Sequence, residues 1–273
     1  MIIRATGRKR DNAATRRGWA KTRSYIHQRA ESLRADFSTV VQPQGYLMDQ
    51  KSLPDCVGKA FQGRINGILG QDASGVDLWI GCRAYDGELE DPSQGTTAES
   101  AIEILTNTGW IPRDNRDEDS IAPNDPMLIE LPSLDDILEG FDNTIALNHD
   151  VFVGSDDQKH VAILSALREL DSDGKFRNAL VFGTGVFSKY FDPPTNQVLD
   201  ETYLSRNGDQ GGHEQGLIGW SAEKNAYIVA GSWGPWTECT VKVSGKNVKL
   251  VGCCLVSRGV VEHAWDCDKL QLR

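Results

Sequence analysis

Two hydrophobic periods divide this chain, and their order constrains its fold more than any other feature. In the first part, apolar residues recur at helical spacing. After Cys56 come Val57, Ala60, Phe61, Ile65, Ile68 and Leu69, which predicts a helix with one buried face. Asp55 stands where an N-cap belongs, so Cys56 falls in the first helical turn. Further helices are predicted in "GVDLWIGCRAYDG", in "TTAESAIEILTNTG" closed by Gly109, and in "KHVAILSALRELDSDGK". Beyond that point the period shortens. "NALVFGTGVFSKY", "HEQGLIGW", "NAYIVAGSW", "ECTVKVSG" and "KNVKLVGCCLVS" are short, rich in Val, Ile and Tyr, and separated by turn residues. Helices first and antiparallel strands later predict an α+β protein with a helical lobe and a sheet lobe. Residues 112–135 between them are acidic and proline-rich, which predicts a surface connection.

Charge is distributed unevenly. Residues 1–34 hold ten Lys or Arg against Asp11 and Glu31, a net of +8, while the remainder sets 19 basic against 37 acidic groups, a net of −18. A basic N-terminal arm, residues 1–39, thus precedes an acidic body, residues 40–273, divided near residue 140 into a helical and a β lobe. The arm suits an acidic protein partner, nucleic acid or the chain's own acidic body. Its segment "RRGWAKTRSYIHQRAESLRADF" carries a thin apolar stripe of Trp19, Ile26 and Leu33, the pattern of a surface helix. No apolar run approaches the roughly 18 residues of a membrane span, and "MIIRATGRKR" lacks the apolar segment of a signal peptide. The expected setting is therefore a cytoplasm with reduced thiols. The six cysteines form no pair of C-x-x-C hooks, so neither a structural metal site nor any cofactor is expected. Cys253 and Cys254 sit in an apolar stretch and read as core.

Cys56 has a different context. A thiol in the first turn of a helix has its thiolate favoured by the dipole and by unpaired N–H groups; the plainer reading is a buried, inert cysteine. His213 in "GGHEQGLIGW" opens an apolar strand, and a thiol nucleophile needs such a base. "YIVAGSWGPW" ends a strand in Ser232-Trp233-Gly234.

Together, "DQKSLPDCVGKAF", "GGHEQGLIGW" and "AGSWG" resemble the papain-like cysteine peptidases, above all the bacterial and phage members. "WIGCRAYDGELEDPSQGTTAESAIEILTNTGWIP" and "LRELDSDGKFRNALVFG" resemble the same family between these anchors, so the likeness spans roughly residues 40–273. It implies a two-lobe fold with the active site in the cleft between a helical lobe and an antiparallel β-sheet or barrel lobe. Cys56 then matches the nucleophile and His213 the general base and acid. Gln50 matches the side chain that, with the Cys56 backbone N–H, binds the oxyanion. Trp233 matches the indole that shields the histidine, and the segment around Gly95 the wall along which substrate backbone pairs.

The chain departs from that pattern in places. Gly231 stands where the resemblance implies an Asn that orients the imidazole, which leaves water, Ser232 or Asn225 for that role. Asp55 replaces a small neutral residue; its carboxylate either raises the thiol pKa or turns its oxygens onto helix N–H groups. Lys51 stands in for a glycine, and Pro54 follows close by, which predicts an altered loop around the oxyanion site. The leading expectation is a cysteine endopeptidase acting on peptide or protein substrate through a Cys56 acyl-enzyme, weakened by the missing Asn. One alternative is a papain-like scaffold with impaired catalysis, serving as a virion structural or binding protein with the arm (residues 1–39) as tether. Another is a cell-wall peptide hydrolase. The arm reads as a tether in preference to a short pro-segment.

Overall fold

The computed structural model describes residues 37–45, 47–113, 118, 121–145, 147–150 and 155–272. The basic arm and its expected helix lie outside these residues, apart from Phe37 to Thr39.

Helix α1, Cys56–Leu69, is closed by Gly70, which takes the left-handed conformation that glycine adopts without cost, with its N–H on Asn66 O at 2.8 Å. Helix α2, Gly75–Tyr85, begins at Ser74, whose hydroxyl accepts from Asp77 N at 3.0 Å. Helix α3, Ala98–Asn107, begins in the same way at Thr97. The three pack through Val57, Phe61, Ile65, Leu78, Ala101 and Leu105. Helices α1 and α2 pack backbone to backbone at Gly58 and Gly75: a Cβ on Gly58 would lie 2.0 Å from the Gly75 carbonyl oxygen. Any larger residue there would push α1, and the Cys56 it carries, out of place.

The remaining helices are α4, Leu134–Gly140, α5, Asp156–Arg168, and α6, Arg258–Glu262. The strands are β1, Val40–Val41, β2, Leu147–Asp150, β3, Asn178–Val186, β4, Val198–Leu199, and β5, Leu204–Ser205. They continue with β6, Gly212–Ser221, β7, Ala226–Ala230, β8, Glu238–Val243, β9, Lys246–Val251, β10, Cys253–Ser257, and β11, Asp266–Gln271. The main sheet runs β2-β11-β3-β6-β7-β10-β4, with β1 on β6 and β5 on β3. All its pairings are antiparallel except β10 with β4. Strands β8 and β9 form a separate hairpin. The expected single strand "KNVKLVGCCLVS" breaks in two at Gly252, whose positive φ turns the chain from hairpin to sheet.

Strand β3 is buried along its whole length, so it separates two cores. Ala179 and Val181 face the helical core with α1, whereas Leu180 and Phe182 face a second core with Ile163 and Leu167 of α5. This is the alternation expected of a strand covered on both faces. Leu270 and Leu272 of the C-terminal segment also join the helical core, so the chain's end ties the two halves together.

The acidic segment 112–135 is more than a surface connection, which corrects the sequence expectation. Ile121 and Leu128 pack with Leu53, Val76, Trp79 and Ile80 in a core of their own. Glu118 is buried with them and pairs with Lys59. Composition alone hid this, because a few inward residues were outnumbered by charged ones. No helix among the described residues is long and apolar enough to cross a membrane.

Candidate active site

Cys56 is fully buried at the N-terminus of α1 and belongs to the helical core. The turn before it is fixed by two bonds, Leu53 N–H to Gln50 O and Gln50 Nε2 to Leu53 O, both 2.9 Å. Lys51 in this turn adopts φ +50°, the left-handed conformation that a glycine takes without strain. The loop therefore keeps a glycine-like backbone although it carries a lysine.

The segment is stitched to the sheet lobe. Gln50 N–H donates to Ser232 O at 2.7 Å and Gly234 N–H to Met48 O at 2.6 Å, while the Ser232 hydroxyl donates to Gln50 Oε1. Asp49 and Trp233 form an isolated antiparallel bridge. Trp233 in turn stacks on His213, with ring centroids 4.3 Å apart and planes 11° from parallel. Tyr190 stands edge-on to both rings. Gln50, Ser232, Trp233 and His213 thus form one continuous chain of contacts, beginning six residues ahead of Cys56.

His213 lies opposite Thr184 in the β3–β6 register and is fully buried. Neither ring nitrogen has a hydrogen-bond partner among the described residues. Burial without a compensating charge pushes its pKa down to about 3, so the imidazole is neutral. Cys56 belongs to the helical core, and Trp233, the ring stacked on His213, belongs to the sheet core.

Asp55 occupies the N-cap position but its side chain makes no capping bond. Both oxygens are buried without hydrogen-bond partners among the described residues. Burial, opposed by Lys59 and reinforced by Glu118, raises its pKa to about 7. Below that pH the carboxyl beside Cys56 is neutral and does not oppose a thiolate, an outcome that neither sequence alternative covers.

Gly95 is buried in the loop between α2 and α3. That loop is held by Trp79 Nε1 to Gln94 O at 3.0 Å and Thr96 Oγ1 to Asp86 Oδ2 at 2.9 Å. None of these contacts joins it to Cys56 or His213. Asn225 sits in the β6–β7 turn with φ +48°, at the far end of β6 from His213. A strand advances about 3.3 Å per residue, which removes Asn225 as a partner for the imidazole. Among the described residues no group of three or more His, Cys, Asp or Glu is placed to hold a metal ion.

No protein-family model matches the chain, and no curated protein matches it in sequence. Solved structures do match. Xylellain, a cysteine protease from Xylella fastidiosa, aligns with TM-score 0.68 at 15% identity, over 100% of this chain and 98% of that chain. The ragweed pollen allergen Amb a 11, a cysteine protease in its proform, aligns with TM-score 0.60 at 15% identity, over 90% and 70%. Bromelain from Ananas comosus, in complex with the E64 inhibitor, aligns with TM-score 0.55 at 13% identity, over 85% and 95%. The chain has the papain-like fold.

Within that fold the glycine at 231 has a spatial cause. A Cβ there would lie 2.6 Å from Trp236 Nε1 and 2.9 Å from its Cε2. The Trp236 indole, anchored through Nε1 to Gly252 O at 3.3 Å, fills the space that a side chain at 231 would need. Sequence reasoning saw the missing Asn but not its replacement. A second tryptophan three residues after Trp233 was the available signal. Sequence reasoning also missed Thr184, which only strand register places beside His213.

Proposed function

We propose that this protein is a cysteine peptidase that hydrolyses peptide bonds in protein or peptide substrates through an acyl-enzyme on Cys56. The observation that carries the reading is the contact chain Gln50–Ser232–Trp233–His213 converging on the segment that ends in Cys56, within a papain-like fold. His213 takes the Sγ proton as the thiolate attacks the carbonyl carbon. The tetrahedral intermediate places its negative oxygen against the Cys56 backbone N–H and the Gln50 amide, which keeps one hydrogen on Leu53 and turns the other to substrate. Collapse expels the amine, which leaves with the proton held by His213; water then releases the acid by the reverse route. Gly95 is assigned to the wall of the substrate groove. Cys56 and His213 are both fully buried, so the site has to open before substrate reaches them.

A second reading, a scaffold with impaired catalysis, is favoured by one observation. His213 lacks any hydrogen-bond partner among the described residues, and burial holds it neutral.

The experiment that separates the readings is labelling by the epoxide E64, which the bromelain structure carries. Intact mass and peptide mapping would follow the wild type, Cys56→Ala and His213→Ala. The peptidase reading expects one adduct, on Cys56, whose rate falls at least tenfold in His213→Ala. Absence of that adduct between pH 4 and 9, or labelling that ignores His213, would sink the peptidase reading in favour of the scaffold.

A further inference from the structure

Gly231 offers His213 nothing, and Trp236 fills the place where an orienting side chain would sit. A base whose ring orientation and tautomer are not fixed loses much of its effect, so another group has to hold it. We propose that Thr184 is the positioning residue for His213, its hydroxyl accepting the hydrogen of the ring nitrogen that faces away from Cys56.

Strand register carries the proposal. Thr184 pairs directly with His213, as Phe182 does with Gln215 and Leu180 with Leu217. Opposed residues of an antiparallel pair project to the same face with Cβ atoms about 4.5–5.5 Å apart. The face is fixed independently, because Leu180, Phe182 and Leu217 lie in one core cluster with Trp233, the ring stacked on His213. Thr184 is fully buried, and its Oγ1 lacks a hydrogen-bond partner among the described residues, as do both nitrogens of His213. Thr184 Oγ1 and both His213 nitrogens thus share one dry face with Gln215 Nε2, which also lacks a partner among the described residues, and buried polar groups are expected to pair. Hydrogen bonds of catalytic groups are often long in a resting site and tighten with substrate.

The nearby polar groups already hold partners: the Ser232 hydroxyl donates to Gln50, and the Tyr190 hydroxyl donates to Gln215 Oε1. The Gln215 Nε2 hydrogens can only donate and so cannot receive an imidazole N–H. Thr184 Oγ1, by contrast, has no hydrogen-bond partner among the described residues. Trp233 fixes the plane of the ring but not its tautomer.

The proposal rests on the peptidase reading, and its test includes a readout that does not need turnover. Thr184→Val keeps the shape and removes the hydroxyl; Thr184→Ser keeps the hydroxyl. Both would be made in the full chain labelled with 15N-histidine, with His213→Gln to assign the resonance. In Thr184→Val the His213 ring nitrogens are expected to change from one tautomer to a mixture. Its kcat on a peptide substrate is expected to fall on the order of tenfold to a hundredfold with little change in KM. Thr184→Ser is expected to retain both properties. An unchanged tautomer and rate in Thr184→Val would overturn the assignment. If the wild type hydrolyses nothing, the peptidase reading fails, and the tautomer comparison alone decides whether Thr184 orients the ring. Should Thr184→Val not fold, Thr184→Ala removes the same hydroxyl and is judged by the same readouts.

Discussion

The Ser232 hydroxyl donates to Gln50 Oε1 while the Gln50 backbone N–H donates to the Ser232 carbonyl at 2.7 Å. Two residues 182 positions apart are joined by main chain and side chain at once, and the bond to Oε1 aims the amide nitrogen of Gln50 toward the start of α1. Ser232→Ala would leave Gln50 in place but free to rotate its amide. Peptide hydrolysis is expected to fall about tenfold in kcat with KM nearly unchanged. Gln50→Ala, which removes the proposed oxyanion donor, is expected to cost about 100- to 1000-fold. Steady-state kinetics on both variants check the order; equal losses would mean that Gln50 acts only as a structural tie.

Asp55 couples the site to pH. Its folded pKa of about 7 stands above the ordinary 3.8, with burial as the main cause. The folded state therefore holds this proton more tightly than the unfolded chain does. The stabilisation is fully present below pH 3.8 and is lost as pH rises toward 7. At roughly 1.4 kcal/mol per unit, a shift of about three units is worth roughly 4 kcal/mol. Asp55→Asn cannot ionise. Its urea midpoint is expected to exceed that of the wild type at pH 8 and to change less between pH 4 and 7. Parallel curves for the two proteins would show that Asp55 is ionised throughout.

Much of this architecture is legible in the sequence because it is local. The spacing of Val57, Phe61 and Ile65 and the apolar patterns of "GVDLWIGCRAYDG" and "TTAESAIEILTNTG" define α1 to α3 without reference to anything distant. Cys56 at a helix start and His213 near a strand start follow from the same local signals. What stayed hidden depends on contacts between remote segments. Glu118 looked like one more solvated acid until the fold set it against the N-terminus of α2 and beside Lys59. The reason for Gly231 lies in the Trp236 indole, and the place of Thr184 lies in a register between strands. The Asp55 side chain could be read as a cap or as a neighbour of the thiol, but its burial could not be read at all.

Glu118 is a buried acid that ties α1 to the start of α2. Its carboxylate accepts from Lys59 Nζ at 2.5 Å, Ser74 Oγ at 2.6 Å, Val76 N–H at 3.1 Å and Gln62 Nε2 at 3.1 Å. Burial alone would raise its pKa, but the Lys59 charge and these hydrogen bonds outweigh it and hold the pKa below the usual carboxylate value. Glu118→Gln leaves the Lys59 ammonium, itself 4% exposed, without its counter-charge. A loss of about 3–5 kcal/mol is expected by denaturant unfolding. Adding Lys59→Met should restore most of it, since the penalty lies in the uncompensated charge. If the double variant is no better than the single one, the hydrogen bonds to Ser74 and Val76 matter more than the ion pair.

Placing an asparagine at position 231 tests whether the site can accept an orienting amide there. A Cβ there meets Trp236 Nε1 at 2.6 Å and Cε2 at 2.9 Å, and the indole is wedged between Tyr190 and Trp233 at centroid distances of 5.0 and 5.3 Å. Overpacking of this kind costs typically about 1–3 kcal/mol. Gly231→Asn alone is therefore expected to lower Tm and to leave kcat no higher than in the wild type. Gly231→Asn combined with Trp236→Ala opens the space for the amide, and its kcat should exceed that of Trp236→Ala alone. Thermal melts and kinetics on the three variants check this. A gain in kcat from Gly231→Asn by itself would show that Trp236 yields easily and that nothing else in the site takes the place of an asparagine.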